Sequence, residues 1–267
     1  MIRIPKKVLN RWPSTVKALS AVAVSHKSRD VSEADTVTLV NDMLSDIFGY
    51  DKYNELTSEQ QIRGTFCDLA VRIEGKIRVL IEVKAAALSL NENHLRQSIN
   101  YGAQEGIEWV VLTNGIEWRL YRIKFGQPID YEQVSAFSIT DVNLKDEEDQ
   151  RKLFLLCREG IAADAMDVYH QHVSLMNRFT VAQVVLSEPV VSSIRRELRR
   201  LFPDLKIDPE NVSDLLYNEI LKREVVDGDK VKEAQSRIKR ATSRIARASA
   251  KKTRGALQES GIISSEL

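Results

Sequence analysis

Three polar residues stand where a core strand should be apolar. In VLIEVKA (79–85), Glu82 and Lys84 fall on one face of a strand, and Val79, Ile81 and Val83 fall on the other. Asp68, in FCDLA, precedes them in a second apolar run. If the two runs pair as a hairpin, strand twist brings Asp68 close to Glu82. Two carboxylates about 4 Å apart repel by roughly 4 kcal/mol at an effective dielectric near 20. A divalent cation relieves that repulsion, and oxygen ligands with water select Mg²⁺ or Mn²⁺. An ammonium two residues along would stand beside the metal-bound water, where it can orient that water and offset charge developing on a phosphate. The plain alternative is a structural ion pair between Glu82 and Lys84, with Asp68 as a hairpin polar residue.

The elements around these residues follow from pattern. SEADTVTLVNDMLSDIFGY (32–50) carries Val37, Val40, Leu44, Ile47 and Phe48 at helical spacing, with Ser32 as N-cap and Gly49 as C-cap. TFCDLAVRI (65–73) and KIRVLIEVKA (76–85) read as strands joined at Glu74-Gly75, an antiparallel hairpin. A helix is expected over 89–106, with Gln97, Tyr101 and Gln104 on one face. WVVLT (109–113) reads as a buried strand, Asn114-Gly115 as a type I′ turn and IEWRLYRI (116–123) as its partner. Helix, hairpin, helix, strand, strand describes a mixed α/β layer.

The ordered set resembles the PD-(D/E)xK nuclease superfamily, and within it the N-terminal nuclease domain of the motor (R) subunit of type I restriction enzymes. Glu33 in SEADT, FGYD (48–51), Asp68 in CDLAV, Glu82 and Lys84 in IEVKA, Gln97 and Tyr101 in QSINY, and LTNGIEWRLY (112–121) carry the likeness over 32–123. It implies a restriction-endonuclease-like mixed sheet flanked by helices. It also implies a Mg²⁺- or Mn²⁺-dependent endonuclease acting on DNA in restriction of foreign DNA. Asp68, Glu82 and the main-chain carbonyl of Val83 would hold the metal, and Lys84 would position or activate the attacking water. Glu33 would join the metal shell directly or through water. Gln97 would touch DNA or hold Lys84, and Tyr101 would meet a backbone phosphate. The bland alternatives are a first-turn helix acid for Glu33 and a half-buried core residue for Tyr101. Cys67 stands where the motif's proline would be. The chain has no GxxxxGK[ST] phosphate loop, so the helicase engine of R subunits is absent from it.

The 267 residues allow one or two domains. The expected division is a nuclease domain at 1–145, with its core at 32–123, and an α-helical domain at 146–267. Helices are expected there at 153–178, 189–202, 211–224 and 229–251. Two basic clusters mark this half: Arg195, Arg196, Arg199 and Arg200, then Lys239, Arg240 and Arg244 within a stretch from 222 to 254 that holds 12 Lys/Arg against 4 Asp/Glu. Such a stripe neutralises phosphates without reading bases; a solvated helix face is the bland alternative. Net charge is only +1, which excludes a uniformly basic coat. Cys67 and Cys157 form no CxxC, and the four histidines are dispersed, so no zinc site is expected. Few cysteines suit a reducing cytoplasm. ALSAVAV (18–24) is followed at once by His26, Lys27 and Arg29 and reads as helix rather than a signal segment. No run approaches the length of a membrane span, so no membrane is expected. Double-strand cleavage needs two sites, which favours a homodimer or assembly with other restriction-system subunits. The competing function is a protein that keeps the nuclease fold and binds nucleic acid, or serves assembly, without catalysis.

Overall fold

A computed structural model describes residues 3–58, 67–204 and 206–262, with side chains described as far as Ile245. Thr65 and Phe66, expected at the start of the first hairpin strand, lie outside the described residues, as do the side chains of Arg247, Lys251, Lys252 and Arg254. The chain forms two compact units that divide between Gln171 and His172.

The first unit opens with α1 (Lys6–Ser28) and α2 (Glu33–Asp46). Ser32 caps α2 by accepting the Asp35 N–H at 3.2 Å. At the other end Gly49 takes φ +84°, the left-handed conformation that lets the chain leave the helix. Six strands follow: β1 (Leu56–Ser58), β2 (Leu69–Ile73), β3 (Lys76–Val83), β4 (Trp109–Thr113), β5 (Glu117–Lys124) and β6 (Asp130–Ser138). They lie in the sheet in chain order. Every pairing is antiparallel except β3 with β4, whose parallel pairing is made by the crossover helix α3 (Arg96–Glu105) and a 3₁₀ turn before it (Glu92–Leu95).

The β2–β3 turn has positive φ at both Glu74 and Gly75, as a type I′ hairpin requires. The β4–β5 turn departs from that expectation. Only Gly115 has positive φ there. Asn114 instead folds its side chain over the turn, accepting the Ile116 and Glu117 N–H groups at 3.1 and 2.8 Å. Strands β1 and β6 have no counterpart in the sequence pattern. Both are edge strands with much exposed surface, so neither carries a clear apolar alternation.

The sheet buries both faces. One face, with Leu69, Val71, Ile81, Val83, Val111 and Trp118, packs under α1 and α2. The other, with Ala70, Leu80, Val110, Leu112 and Tyr121, packs under Leu95 and Ile99. β4, buried at all five positions, reads as a continuous apolar run for that reason.

The domain boundary expected at 145/146 falls too early. α4 (Glu147–Leu155), α5 (Arg158–Ala162) and the Leu156 between them send Leu153, Phe154, Leu156 and Ile161 into the first core. Tyr50, fully buried, donates to the Leu156 carbonyl at 2.7 Å, and Arg11 pairs with Glu159 at 3.2 Å. The acidic stretch beside that boundary caps a packed helix: Asp146 accepts the Glu148 and Asp149 N–H groups.

The remaining helices are α6 (Ala165–Leu175), α7 (Arg178–Val185), α8 (Glu188–Leu201), α9 (Pro209–Leu215), a π turn (Leu216–Ile220), α10 (Arg223–Val226) and α11 (Asp229–Ile262). Within the second unit two small apolar clusters do the packing. Ala182, Val225 and Val226 form one; Val191, Val212 and Leu216, with Ile194 and Leu198 against them, form the other. The long helices expected at 153–178 and 211–224 are each broken into shorter pieces. Among the described residues no helix is long and apolar enough to cross a membrane.

Candidate active site

The site assembles at the C-terminal end of β3. The β2–β3 ladder closes at Leu69 opposite Ile81, one residue short of Asp68 and Glu82. Beyond it, the Val83 N–H donates to the Asp68 carboxylate at 2.6 Å. β3 then runs on beside β4 by one more bond, Lys84 N–H to the Thr113 carbonyl at 2.8 Å. Because side chains alternate, Glu82 continues the row begun by Leu80 on the α3 face, while Val83 belongs to the opposite core.

Glu82 is therefore a carboxylate inside the protein, its side chain only 8% exposed. Both of its oxygens are held. Lys84 Nζ lies 2.8 Å from Oε1, and the Ser98 hydroxyl donates to Oε2 at 2.7 Å. Lys84 also approaches both Glu33 oxygens at 3.5 Å. Glu33 arrives through a separate anchor. The chain after Lys84 turns so that the Ala86 N–H donates to Thr36 Oγ1 at 3.1 Å, pinning the first turn of α2 against the strand end. Thr36 is fully buried and in turn donates to the Ser32 carbonyl. Asn114 fixes the same loop by donating to the Leu88 carbonyl at 2.9 Å.

Three carboxylates thus surround one ammonium, and the imbalance is visible in the acidities. Burial pushes the Asp68 carboxyl up to about 6, against the Val83 N–H that favours its ionised form, and the Glu82 charge adds to the rise. Burial alone would lower the Lys84 ammonium. The Glu82 carboxylate, with Asp68 and Glu33 behind it, reverses this and raises it above its ordinary value. Lys84 is therefore a charged donor at neutral pH, and the region carries excess negative charge in a partly dry setting.

Asp68, Glu82, Lys84 and Glu33 come together. Gln97 and Tyr101 do not join them by any hydrogen bond among the described residues. Gln97 is exposed, and Tyr101 is half-buried against the α3-side core, its hydroxyl made less acidic by burial and by Glu105. The buried stripe of α3 is instead Ser98, Ile99 and Gly102, continuing from Leu95 in the 3₁₀ turn and rotated one position from the face that holds Gln97. Ser98 is a site residue that the motif spacing does not point to. The available signal is a hydroxyl residue set among Leu95, Ile99 and Gly102 at helical spacing, a polar residue on an apolar stripe.

No group of three His, Cys, Asp or Glu side chains among the described residues is arranged to hold a metal ion. The donor set nevertheless fits a hard divalent cation. It comprises two carboxylates and a main-chain carbonyl at Val83, with a buried anion whose charge is not fully offset. Mg²⁺ commonly takes one or two carboxylates and fills its shell with water.

The basic candidates lie in the second unit. Arg195 donates to the Ile207 carbonyl at 2.7 Å, Arg196 to Ser193, and Arg200 pairs with Glu197. Arg199, Lys239, Arg240 and Arg244 are exposed and form no ion pair among the described residues. His170, in the first unit, is engaged by Glu132 and by Arg122, a packing role on β5 and β6.

Residues 39–138 match the family model of the type I restriction enzyme R protein N terminus (HSDR_N). The matched span runs from α2 to the end of β6 and so covers the sheet, Asp68, Glu82 and Lys84. Comparison with curated proteins and with solved structures returns no match.

Proposed function

From a sheet that carries the R-protein N-terminal family segment, we propose that the first unit is a divalent-metal-dependent nuclease that hydrolyses DNA phosphodiesters in restriction of foreign DNA. The observation that carries this reading is the meeting of Asp68, Glu82, Lys84 and Glu33 at one strand end, with more negative charge than the ammonium offsets. Mg²⁺ or Mn²⁺ held by Asp68, Glu82 and the Val83 carbonyl would supply Lewis-acid polarisation of a phosphoryl oxygen and a more acidic bound water.

The chain's own groups prepare that chemistry. The Val83 N–H and the Ser98 hydroxyl fix the two carboxylates before substrate arrives, so little reorganisation is left for the reaction. Lys84, a donor without acceptor capacity while protonated, is suited to hold the attacking water in place and to stabilise charge growing on the phosphate. Glu33 tethers Lys84 from the far side and limits where the ammonium can point.

The test is nicking of plasmid DNA by the purified chain with Mg²⁺ or Mn²⁺. The parent should cut, EDTA should stop it, and Asp68→Asn and Lys84→Met should each lower the rate by at least a hundredfold. A parent that cuts neither DNA nor RNA with either ion would refute the reading. The second reading, a nuclease fold that binds nucleic acid without cutting it, draws on the closed Lys84–Glu82 pair at 2.8 Å. It predicts no Mn²⁺ binding by calorimetry and DNA binding that survives both substitutions.

A further inference from the structure

The carboxylate site sits in a unit of the wrong overall charge for DNA. Residues 1–171 hold 21 Lys/Arg against 25 Asp/Glu, a net of −4; residues 172–267 hold 18 against 13, a net of +5. At long range a net-negative unit repels a phosphate backbone, whereas the net-positive second unit attracts one. The positive charge of the second unit is also concentrated. On α8, Arg195, Arg196, Arg199 and Arg200 stand at i, i+1, i+4 and i+5, behind a helix face where Val191, Ile194 and Leu198 are packed away. Arg195, Arg196, Arg199 and Ser192 line a shallow open groove.

This arrangement is costly in isolation. Like charges four apart on a helix destabilise it by a few tenths of a kcal/mol per pair. The local relief is uneven: Arg200 has Glu197 and Arg195 has a carbonyl, but Arg199 has no ion-pair partner among the described residues. α11 repeats the theme. Its inner side is marked by the buried Val231 and Ala234 and by Arg237 donating to the Ser174 carbonyl. Lys239, Arg240 and Arg244 are exposed, and the sequence from 238 to 254 contains no acid to pair with them. Arg240 and Arg244, four apart, share one side of the helix.

We infer that the second unit is a sequence-independent DNA-backbone binding module, gripping phosphates through the α8 arginines and the basic side of α11. Arginine suits this task because its planar fork meets phosphate oxygens two at a time. The expected affinity is electrostatic and steeply salt-dependent. The inference goes beyond the hydrolytic reading and stands without it, since the module should hold DNA whether or not the first unit cuts.

The test is fluorescence anisotropy of a labelled DNA duplex of about 20 base pairs with the full chain in EDTA, between about 50 and 200 mM NaCl. The parent should bind with a steep dependence of affinity on salt. Replacing Arg196, Arg199, Arg200, Lys239, Arg240 and Arg244 with Gln should weaken binding at least tenfold. It should also flatten the logarithmic salt slope by about 0.9 for each phosphate that is no longer neutralised. Arg196→Lys, Arg199→Lys and Arg200→Lys together should keep most of the slope, which separates charge from folding. Binding is read in EDTA and cleavage only with Mg²⁺ or Mn²⁺, so loss of one is read independently of loss of the other. A parent that does not bind DNA, or a six-site variant with the parent's affinity and slope while circular dichroism shows it folded, overturns the inference.

Discussion

Replacing Asp68 with Asn should stabilise the metal-free protein while removing the proposed nuclease activity. The Asp68 carboxyl is moved from an ordinary 3.8 to about 6, chiefly because ionising it in a partly dry place beside Glu82 is unfavourable. Each tenfold change in proton affinity is worth about 1.4 kcal/mol, so the full shift corresponds to about 3 kcal/mol. Water reaches part of the group, and screening reduces this to roughly 1–2 kcal/mol. The folded state holds the proton more tightly than the unfolded one. This contribution to stability is therefore fully present below about pH 4, falls as pH rises from about 4 to 6, and is absent above. Asn does not ionise, and its carbonyl oxygen still accepts the Val83 N–H. In EDTA at pH 8, thermal unfolding of Asp68→Asn should lie about 2–8 °C above the parent, at roughly 2–4 °C per kcal/mol for a unit of this size. At pH 4.5 the difference should shrink to about a third of that. With saturating Mn²⁺ the order should invert, because an ion at a hundred times its dissociation constant adds about 2.7 kcal/mol to the parent alone. A variant less stable than the parent in EDTA at pH 8, or a gap that ignores pH, would refute the account of Asp68 as a strained, cation-seeking carboxylate.

Ser98→Ala removes the hydroxyl that holds Glu82 Oε2 and leaves that oxygen buried; it should cost about 1–3 kcal/mol in chemical denaturation and slow metal-dependent cleavage, with Ser98→Thr restoring part of both. Unchanged stability and rate would remove Ser98 from the site. Gly160→Ala should destabilise the first unit by roughly 2–4 kcal/mol, since its Cβ would stand 1.9 Å from the Phe154 carbonyl oxygen, a backbone atom that cannot swing aside; a melting temperature within a degree of the parent would show that α4 and α5 pack loosely enough to absorb a methyl group.

Much of the first unit was legible because its signals are local. Glu74-Gly75 fixes a turn by backbone sterics alone, Ser32 caps a helix within one turn, and the continuous apolar run 109–113 has no stable place except between two covered faces. The spacing of Glu82 and Lys84 puts them on one side of β3 without reference to the rest of the chain. Tertiary structure alone decided what completes their surroundings. Ser98 reaches Glu82 only because the crossover sets α3 over that face, and Glu33 reaches Lys84 only because Thr36 receives the Ala86 N–H. The end of the first unit was hidden for the same reason: Tyr50 and Leu156 are far apart in the chain, and one buried hydrogen bond between them ties α4 and α5 to the sheet. Pattern reads what a residue does to its neighbours in sequence; which distant group comes to lie beside a buried carboxylate depends on how whole elements pack, and no local spacing encodes that.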